Sequence, residues 1–96
     1  MAIRVILTYQ KQENSGEFIE IPENVINLLE QYKAKGRLLD YSKEQTEDKV
    51  TYTINWPDHE SKTMFRSEKE VLNFADVANK HNFDNTIIST LDEFFV

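Results

Sequence analysis

The stretch Val50-Thr51-Tyr52-Thr53-Ile54-Asn55-Trp56 carries the strongest structural signal in the sequence. Large apolar residues alternate in it with polar ones, which is the period of a β-strand with one buried face. Its β-branched and aromatic residues also favour a strand. A second candidate strand, 37–43, precedes it across the polar segment 44–48. We therefore predict that the two strands form an antiparallel hairpin.

The N-terminal third of the chain predicts a strand followed by a helix. Residues 2–9 have apolar side chains at positions 3, 5, 7 and 9, which indicates a strand. Residues 22–35 form the predicted helix, since Pro22 suits a first helical turn and Gly36 a helix end. The helix has one apolar stripe at i, i+3, i+4 and i+7, made of Val25, Leu28, Leu29 and Tyr32.

The C-terminal third predicts a turn, a helix and a last strand. Residues 57–60 are a predicted turn, and 62–66 a possible short strand. Ser67 and Glu70 have the spacing of a capping box, so a second helix is expected to begin there. The last predicted strand covers 86–91 and leaves an apolar-ended tail. Ninety-six residues are the length of one domain, so we predict a single domain, 1–96.

The element order is strand, helix, strand, strand, helix, strand. The compact arrangement for this order is an α+β ferredoxin-like fold, with an antiparallel sheet of four to five strands and two helices on one face. This order, with Trp56 ending the central strand, resembles small α+β proteins that pair into dimeric barrels, among them the antibiotic-biosynthesis monooxygenases. The resemblance rests on element order and transfers no functional residue. It implies a cofactorless small-molecule enzyme or ligand-binding protein.

Composition excludes several function classes. The formal net charge of −6 argues against non-specific nucleic-acid binding, which requires a surplus of Lys and Arg. Cysteine is absent, and two glycines cannot form a glycine-rich phosphate loop. No targeting segment and no run of about 20 apolar residues is visible, so we expect a cytoplasmic protein without a membrane partner. No motif identifies a catalytic residue, a metal ligand or a cofactor site.

The candidate ligand pocket consists of Tyr52, Trp56 and His59. The two aromatic residues share a strand face, and His59 lies in the turn that follows. Pockets lined by aromatic residues bind small apolar ligands. The competing interpretation, favoured for so short a chain, is that the two rings belong to the core and that His59 lies in a solvated turn.

The candidate partner-binding residues are Leu91, Phe94 and Phe95 in the C-terminal tail. A leucine followed after two residues by two aromatics resembles peptides that dock on replication sliding clamps, although Ile88 stands where those peptides usually have glutamine. If the last strand instead continues through the tail, Leu91 and Phe95 share one face. They are then part of the core or of a dimer surface, and strand periodicity favours this interpretation.

Three functions follow from these patterns. The leading hypothesis is a non-enzymatic protein-binding or regulatory module that acts through a protein partner or as a homodimer, because no catalytic constellation is present. The alternative is a cofactorless small-molecule enzyme or binder of the dimeric-barrel type, which requires a cavity beside Tyr52 and Trp56 that includes His59 or His81. The third is a sliding-clamp-binding protein that uses its tail.

Overall fold

The computed structural model describes residues 1–96 and contains four strands and three helices. In chain order these elements are β1 (Ile3–Lys11), α1 (Glu23–Ala34), β2 (Asp40–Gln45), β3 (Lys49–Trp56), α2 (His59–Arg66), α3 (Lys69–Asp84) and β4 (Ile87–Phe95). The strands form one antiparallel sheet in the order β2-β3-β1-β4. This confirms the predicted α+β ferredoxin-like fold, with four strands and one helix more than expected.

The strand register aligns the inward-facing residues in rows across the sheet. Leu7 of β1 lies opposite Tyr52 of β3 on one side and Leu91 of β4 on the other. Because side chains alternate along a strand, every second residue shares this face. The face therefore presents a nearly continuous apolar surface to the helices.

The core lies between this face and the helices. The predicted stripe of α1 is buried against the sheet at all four positions. The rings of Tyr32, Trp56 and Phe65 pack against one another with centroids 5.2 to 6.3 Å apart. Such aromatic clusters add edge-to-face attraction to the burial of apolar area. They join α1, β3 and α2 into one cluster.

The predicted turn at 57–60 and short strand at 62–66 are wrong, because most of this segment is helix α2. Asp58 provides the N-cap: its carboxylate Oδ1 accepts a hydrogen bond of 2.7 Å from the Ser61 backbone N–H. Phe65 on the next turn is buried in the core. The strand prediction missed that Asp58 is a good N-cap residue and that the apolar face of 59–66 has helical spacing.

Two helix and strand boundaries also differ from the sequence prediction. Ser67 does not cap α3: its hydroxyl donates to the Thr63 carbonyl oxygen at 2.8 Å, at the end of α2, and Glu68 takes the N-cap position without a side-chain cap. Strand β4 extends four residues beyond the predicted end and includes the aromatic tail through Phe95. Pairing with β1 explains this extension, since Phe95 lies opposite Ile3.

Candidate ligand cavity

A cavity of about 340 Å³ lies between the sheet and the helices. The sheet contributes apolar and aromatic side chains to its floor, and all three helices contribute to its walls. Volumes of roughly 300–1,000 Å³ and apolar walls are typical of small-molecule sites. The interior of this small protein is therefore not solid, although its length favoured a solid core.

The cavity exists because α3 presents small side chains to the sheet. Ala75, Ala78 and Asn79 of α3 line it, whereas α1 faces the sheet with Val25 and Leu29. Alanine side chains are too short to reach the floor of the cavity, so space remains under α3. On the solvent side, Ala75, Asn79 and the facing Leu91 of β4 are exposed. The mouth of the cavity accordingly lies between α3 and β4.

One end of the cavity is aromatic and charged. Trp56 and Phe65 form its wall there, with ring centroids 5.2 Å apart. Lys62 and Arg66, one helical turn apart on α2, are the only charged residues that line the cavity. The Lys62 side chain is 8% exposed, and its Nζ donates to Glu93 Oε1 at 2.7 Å.

Glu93 stabilises this buried cation from the sheet side. The hydrogen bond from Lys62 lowers the pKa of the Glu93 carboxyl from its ordinary value, against a smaller opposing effect of burial. The charges of Lys62, Arg66 and His59 lower this pKa further. Arg66 reaches the same carboxylate oxygen at 3.7 Å, through Nη1. Glu93 is therefore ionised at neutral pH, and its carboxylate faces two basic side chains, Lys62 and Arg66.

The other end of the cavity is lined by two tyrosines and a serine. Tyr9 and Tyr52 contact each other edge to face, with centroids 5.9 Å apart, and both rings line the cavity beside Ser89. Tyr9 lies four residues along β1 from the position opposite Glu93, so the two ends are separated by about 13 Å. The cavity is thus elongated, with an apolar middle between two polar ends.

Burial raises the pKa of both tyrosines, which would be protonated at neutral pH even at the ordinary value. It raises the pKa of Tyr52 to about 12, helped by the nearby Tyr9 and Glu20. It also raises the pKa of Tyr9, against a smaller effect of the nearby Asn82 amide. The Tyr52 hydroxyl and both amide atoms of Asn82 are buried without a protein hydrogen-bond partner. Buried polar groups without a partner are costly and are few in folded proteins.

These groups define what the cavity can do chemically. No carboxylate and no histidine lines it, so it offers no ordinary general base for a neutral substrate. It offers the rings of Tyr9 and Tyr52 beside Ser89 at one end and the basic side chains of Lys62 and Arg66 at the other. Such a site can bind an apolar molecule and stabilise negative charge on it.

The structure separates the three predicted pocket residues. Tyr52 and Trp56 line the cavity, with 6% and 2% of their surfaces exposed. His59 does not: it begins α2 and lies in a separate open groove with residues from α2 and the start of α3. His81 also lies outside the cavity, and its Nε2 is 2.7 Å from the Glu17 backbone oxygen. The expectation that His59 or His81 lines the cavity is therefore wrong. No group of three or more His, Asp or Glu side chains is arranged to hold a metal ion.

The predicted partner-binding residues all lie in β4. They are partly or largely exposed, at 47% for Leu91, 50% for Phe94 and 74% for Phe95. Leu91 and Phe95 share the helix-facing side, and Leu91 lines the cavity, whereas Phe94 lies on the outer face. Because this segment is paired with β1, it is an edge strand and not a free tail.

Sequence reasoning missed the polar residues of the cavity. Lys62 and Arg66 were placed on a predicted strand, where their common helical face is invisible. Their i, i+4 spacing, read together with Asp58 as an N-cap, could have placed both on one side of a helix.

Comparison with solved structures places this fold among proteins like the antibiotic-biosynthesis monooxygenases. SnoaB from Streptomyces nogalater, described as a cofactor-independent oxygenase, superposes with a TM-score of 0.65 at 10% identity, covering 99% of this chain and 92% of SnoaB. An antibiotic biosynthesis monooxygenase gives 0.62 at 15% identity, over 98% and 97% of the two chains. A putative one from Deinococcus radiodurans gives 0.63 at 9% identity, over 100% and 92%.

These similarities confirm the resemblance seen in the element order. At such low identities they establish the fold and leave the activity open. No protein-family profile and no curated protein matches the sequence. None of the three helices combines the length and apolar composition that a membrane span requires.

Proposed function

We propose that the chain binds a small, largely apolar molecule in the cavity between sheet and helices, and that it belongs functionally with cofactor-independent small-molecule enzymes. The observation that carries this proposal is the cavity itself, a volume of about 340 Å³ beside Tyr52 and Trp56 in a chain of only 96 residues. Two of its structural neighbours are described as monooxygenases and one as a cofactor-independent oxygenase. These descriptions support the enzyme class.

The size and lining of the cavity indicate the kind of ligand. An apolar cavity of about 150 Å³ can hold benzene, so the volume here suits a molecule with two fused rings. Trp56, Phe65 and Phe74 offer flat aromatic surfaces to such rings. We therefore expect aromatic bicyclic molecules to bind more tightly than short aliphatic ones of similar polarity.

Isothermal titration calorimetry with 2-naphthol, a neutral bicyclic probe at pH 7, tests the proposal. We expect saturable binding with one site per chain. Ala75→Phe places a ring in the mouth of the cavity and should abolish this binding. Val77→Phe is the matched control, since it adds a larger side chain to the same helix at a position that is 57% exposed and outside the cavity. No saturable binding to the unmodified protein, or equal binding to both variants, would contradict the proposal.

A second proposal concerns self-association. The helices cover one face of the sheet, and the outer face carries half-buried β-branched residues with Phe94 at its β4 edge. Exposed Ile88 and Phe94 extend this surface. The other outer positions are mostly polar, so these exposed apolar side chains mark the points at which a partner sheet would pack. We propose that a second copy of the chain covers the outer face, in line with the dimeric barrels that the fold resembles.

Size-exclusion chromatography with light scattering tests this assembly. We expect twice the mass of the chain, and a monomer for Phe94→Glu. Phe83→Glu is the control, because Phe83 is an equally apolar residue on α3 and is 86% exposed. A monomeric unmodified protein, or a dimer that survives Phe94→Glu, would contradict the proposed surface.

The protein-binding and clamp-binding hypotheses have less support. Docking as an extended peptide would require Leu91, Phe94 and Phe95 to leave their pairing with β1. That cost opposes the clamp hypothesis, because a strand that is already paired gives up its backbone hydrogen bonds.

A further inference from the structure

We infer that the ligand of the cavity carries a single anionic group, which Arg66 binds at the Trp56 end. This inference rests on the proposed function of the same cavity and specifies the class of ligand. In a protein with a formal net charge of −6, the only charged residues that line the cavity are two cations, Lys62 and Arg66. Two basic side chains in the cavity of an acidic protein indicate that the ligand bound there is negatively charged.

The charge balance at this end leaves one cation for the ligand. Lys62 is engaged by Glu93 at 2.7 Å, which stabilises an ammonium group that is otherwise removed from water. Arg66 lies 3.7 Å from the same oxygen, beyond the distance of a good hydrogen bond, and its side chain remains 58% exposed. Lys62 and Arg66 contribute +2 and Glu93 −1, so the net charge of this group is +1.

Arg66 is suited to a planar anion. Its guanidinium carries a fork of donors that can bind a carboxylate through two parallel hydrogen bonds. The aromatic wall of Trp56 and Phe65 lies beside it, so a ring can pack there while its acidic substituent meets the guanidinium. The absence of a carboxylate or histidine from the lining agrees with this, because a ligand that is already an anion needs no base to generate its charge.

Two probes of equal shape test the inference by calorimetry: 2-naphthoate, which is an anion at pH 7, and 2-naphthamide, which is neutral. We expect the unmodified protein to bind the carboxylate about tenfold more tightly than the amide, as one charge-assisted contact provides. Arg66→Gln should remove that preference and leave the affinity for 2-naphthamide unchanged. Lys49→Gln is the control for net charge, since Lys49 is an exposed residue at the far end of β3.

Glu93→Gln gives a second test, in which the preference for 2-naphthoate should change in the opposite direction. Removing the carboxylate releases both cations, so the preference for 2-naphthoate should increase. A role for Glu93 in stability alone would change the melting temperature and leave the preference unchanged. If Glu93→Gln does not fold, Arg66→Gln decides alone, because it changes an exposed side chain.

The outcomes separate this inference from the proposed function. Equal binding of the two probes to the unmodified protein, or a preference that survives Arg66→Gln, would overturn the inference and leave the cavity as a binding site. If neither probe nor 2-naphthol binds, the proposed function itself fails.

Discussion

Helices α1 and α3 cover the same face of the sheet, and they do so differently. The shorter α1, with 12 residues, buries four apolar side chains: Val25, Leu28, Leu29 and Tyr32. The longer α3, with 16 residues, buries only Ala78 and Asn82. Leu72, Val77 and Phe83 of α3 are exposed. One helix closes the core, and the other leaves a cavity.

The difference shows that a helical apolar period does not by itself define a packed face. Both helices have such a period, and its inner positions on α1 are all large. On α3, Val71 and Phe74 also face inward, but the positions that follow them are Ala75, Ala78 and Asn79. The volume that α3 does not fill becomes the cavity, and α2 closes one end of it. A ligand cavity in a small domain can therefore arise from small residues on one helix, without an additional helix or strand.

Leucine-to-alanine substitutions should show the largest difference in stability between the two helices. Leu28→Ala in α1 removes a buried side chain and should lower the free energy of unfolding by about 2–5 kcal/mol. Leu72→Ala in α3 removes one that is 53% exposed and should cost less than about 1 kcal/mol. Urea unfolding followed by circular dichroism measures both. Equal losses would mean that α3 packs as tightly as α1.

Capping of α2 should have the next largest effect, since α2 closes the charged end of the cavity. Asp58→Ala removes the acceptor of the Ser61 N–H and should lower the free energy of unfolding. Ser67→Ala is the comparison, because Ser67 does not cap α3 and its loss should cost less. Chemical denaturation of the two variants gives this ranking. A larger loss for Ser67→Ala would restore the capping role that its sequence suggests.

Removing the hydroxyl group from Tyr32 and from Tyr52 should have different effects on stability. The Tyr32 hydroxyl of α1 donates to Glu68 at 2.9 Å, so Tyr32→Phe should lose about 1 kcal/mol of stability. The Tyr52 hydroxyl has no partner, so Tyr52→Phe should leave the stability unchanged or raise it. Thermal melts of the two variants at pH 7 measure this contrast. A clear loss for Tyr52→Phe would indicate a hydrogen bond that the structure does not contain.

The smallest effect should be on the pH dependence of stability. The pKa of Glu93 is lowered in the folded state. Its ion pair therefore adds to the free energy of unfolding at pH values above the ordinary glutamate pKa, and this stabilisation is lost as the pH falls through the lowered pKa. Between about pH 5 and pH 3, Glu93→Gln should therefore lose less stability than the unmodified protein does. Unfolding at a series of pH values tests this. Parallel curves would mean that Lys62, Arg66 and His59 do not act on Glu93.

Most of the fold could be predicted from the sequence, because long periodic segments determine their own structure. The alternation that ends at Trp56 and the stripe of α1 needed no tertiary information. The prediction for segment 57–66 failed because its helix has only eight residues, 59–66, which are too few for helical spacing to stand out, and because this helix depends on the Asp58 cap and on Phe65 reaching the core.

The candidate site was predictable only in part. Tyr52 and Trp56 lie on one face of a clear strand, so their place at the cavity follows from period alone. The volume of the cavity cannot be predicted from the period, because it depends on how far α3 lies from the sheet. The contact of Lys62 with Glu93 joins residues 31 positions apart and requires the tertiary fold. His59 was grouped with Trp56 because it is near in sequence, and helix α2 directs it elsewhere.

The most direct test of the account uses the single tryptophan of the chain. Its indole N–H gives one signal in a ¹H–¹⁵N correlation spectrum, and this signal reports on the wall of the cavity. We predict that titration with 2-naphthoate moves the Trp56 signal to a saturating shift in the unmodified protein and in Val77→Phe, and leaves it in place in Ala75→Phe. A signal that does not move, or that moves equally in all three proteins, would contradict the cavity as the binding site.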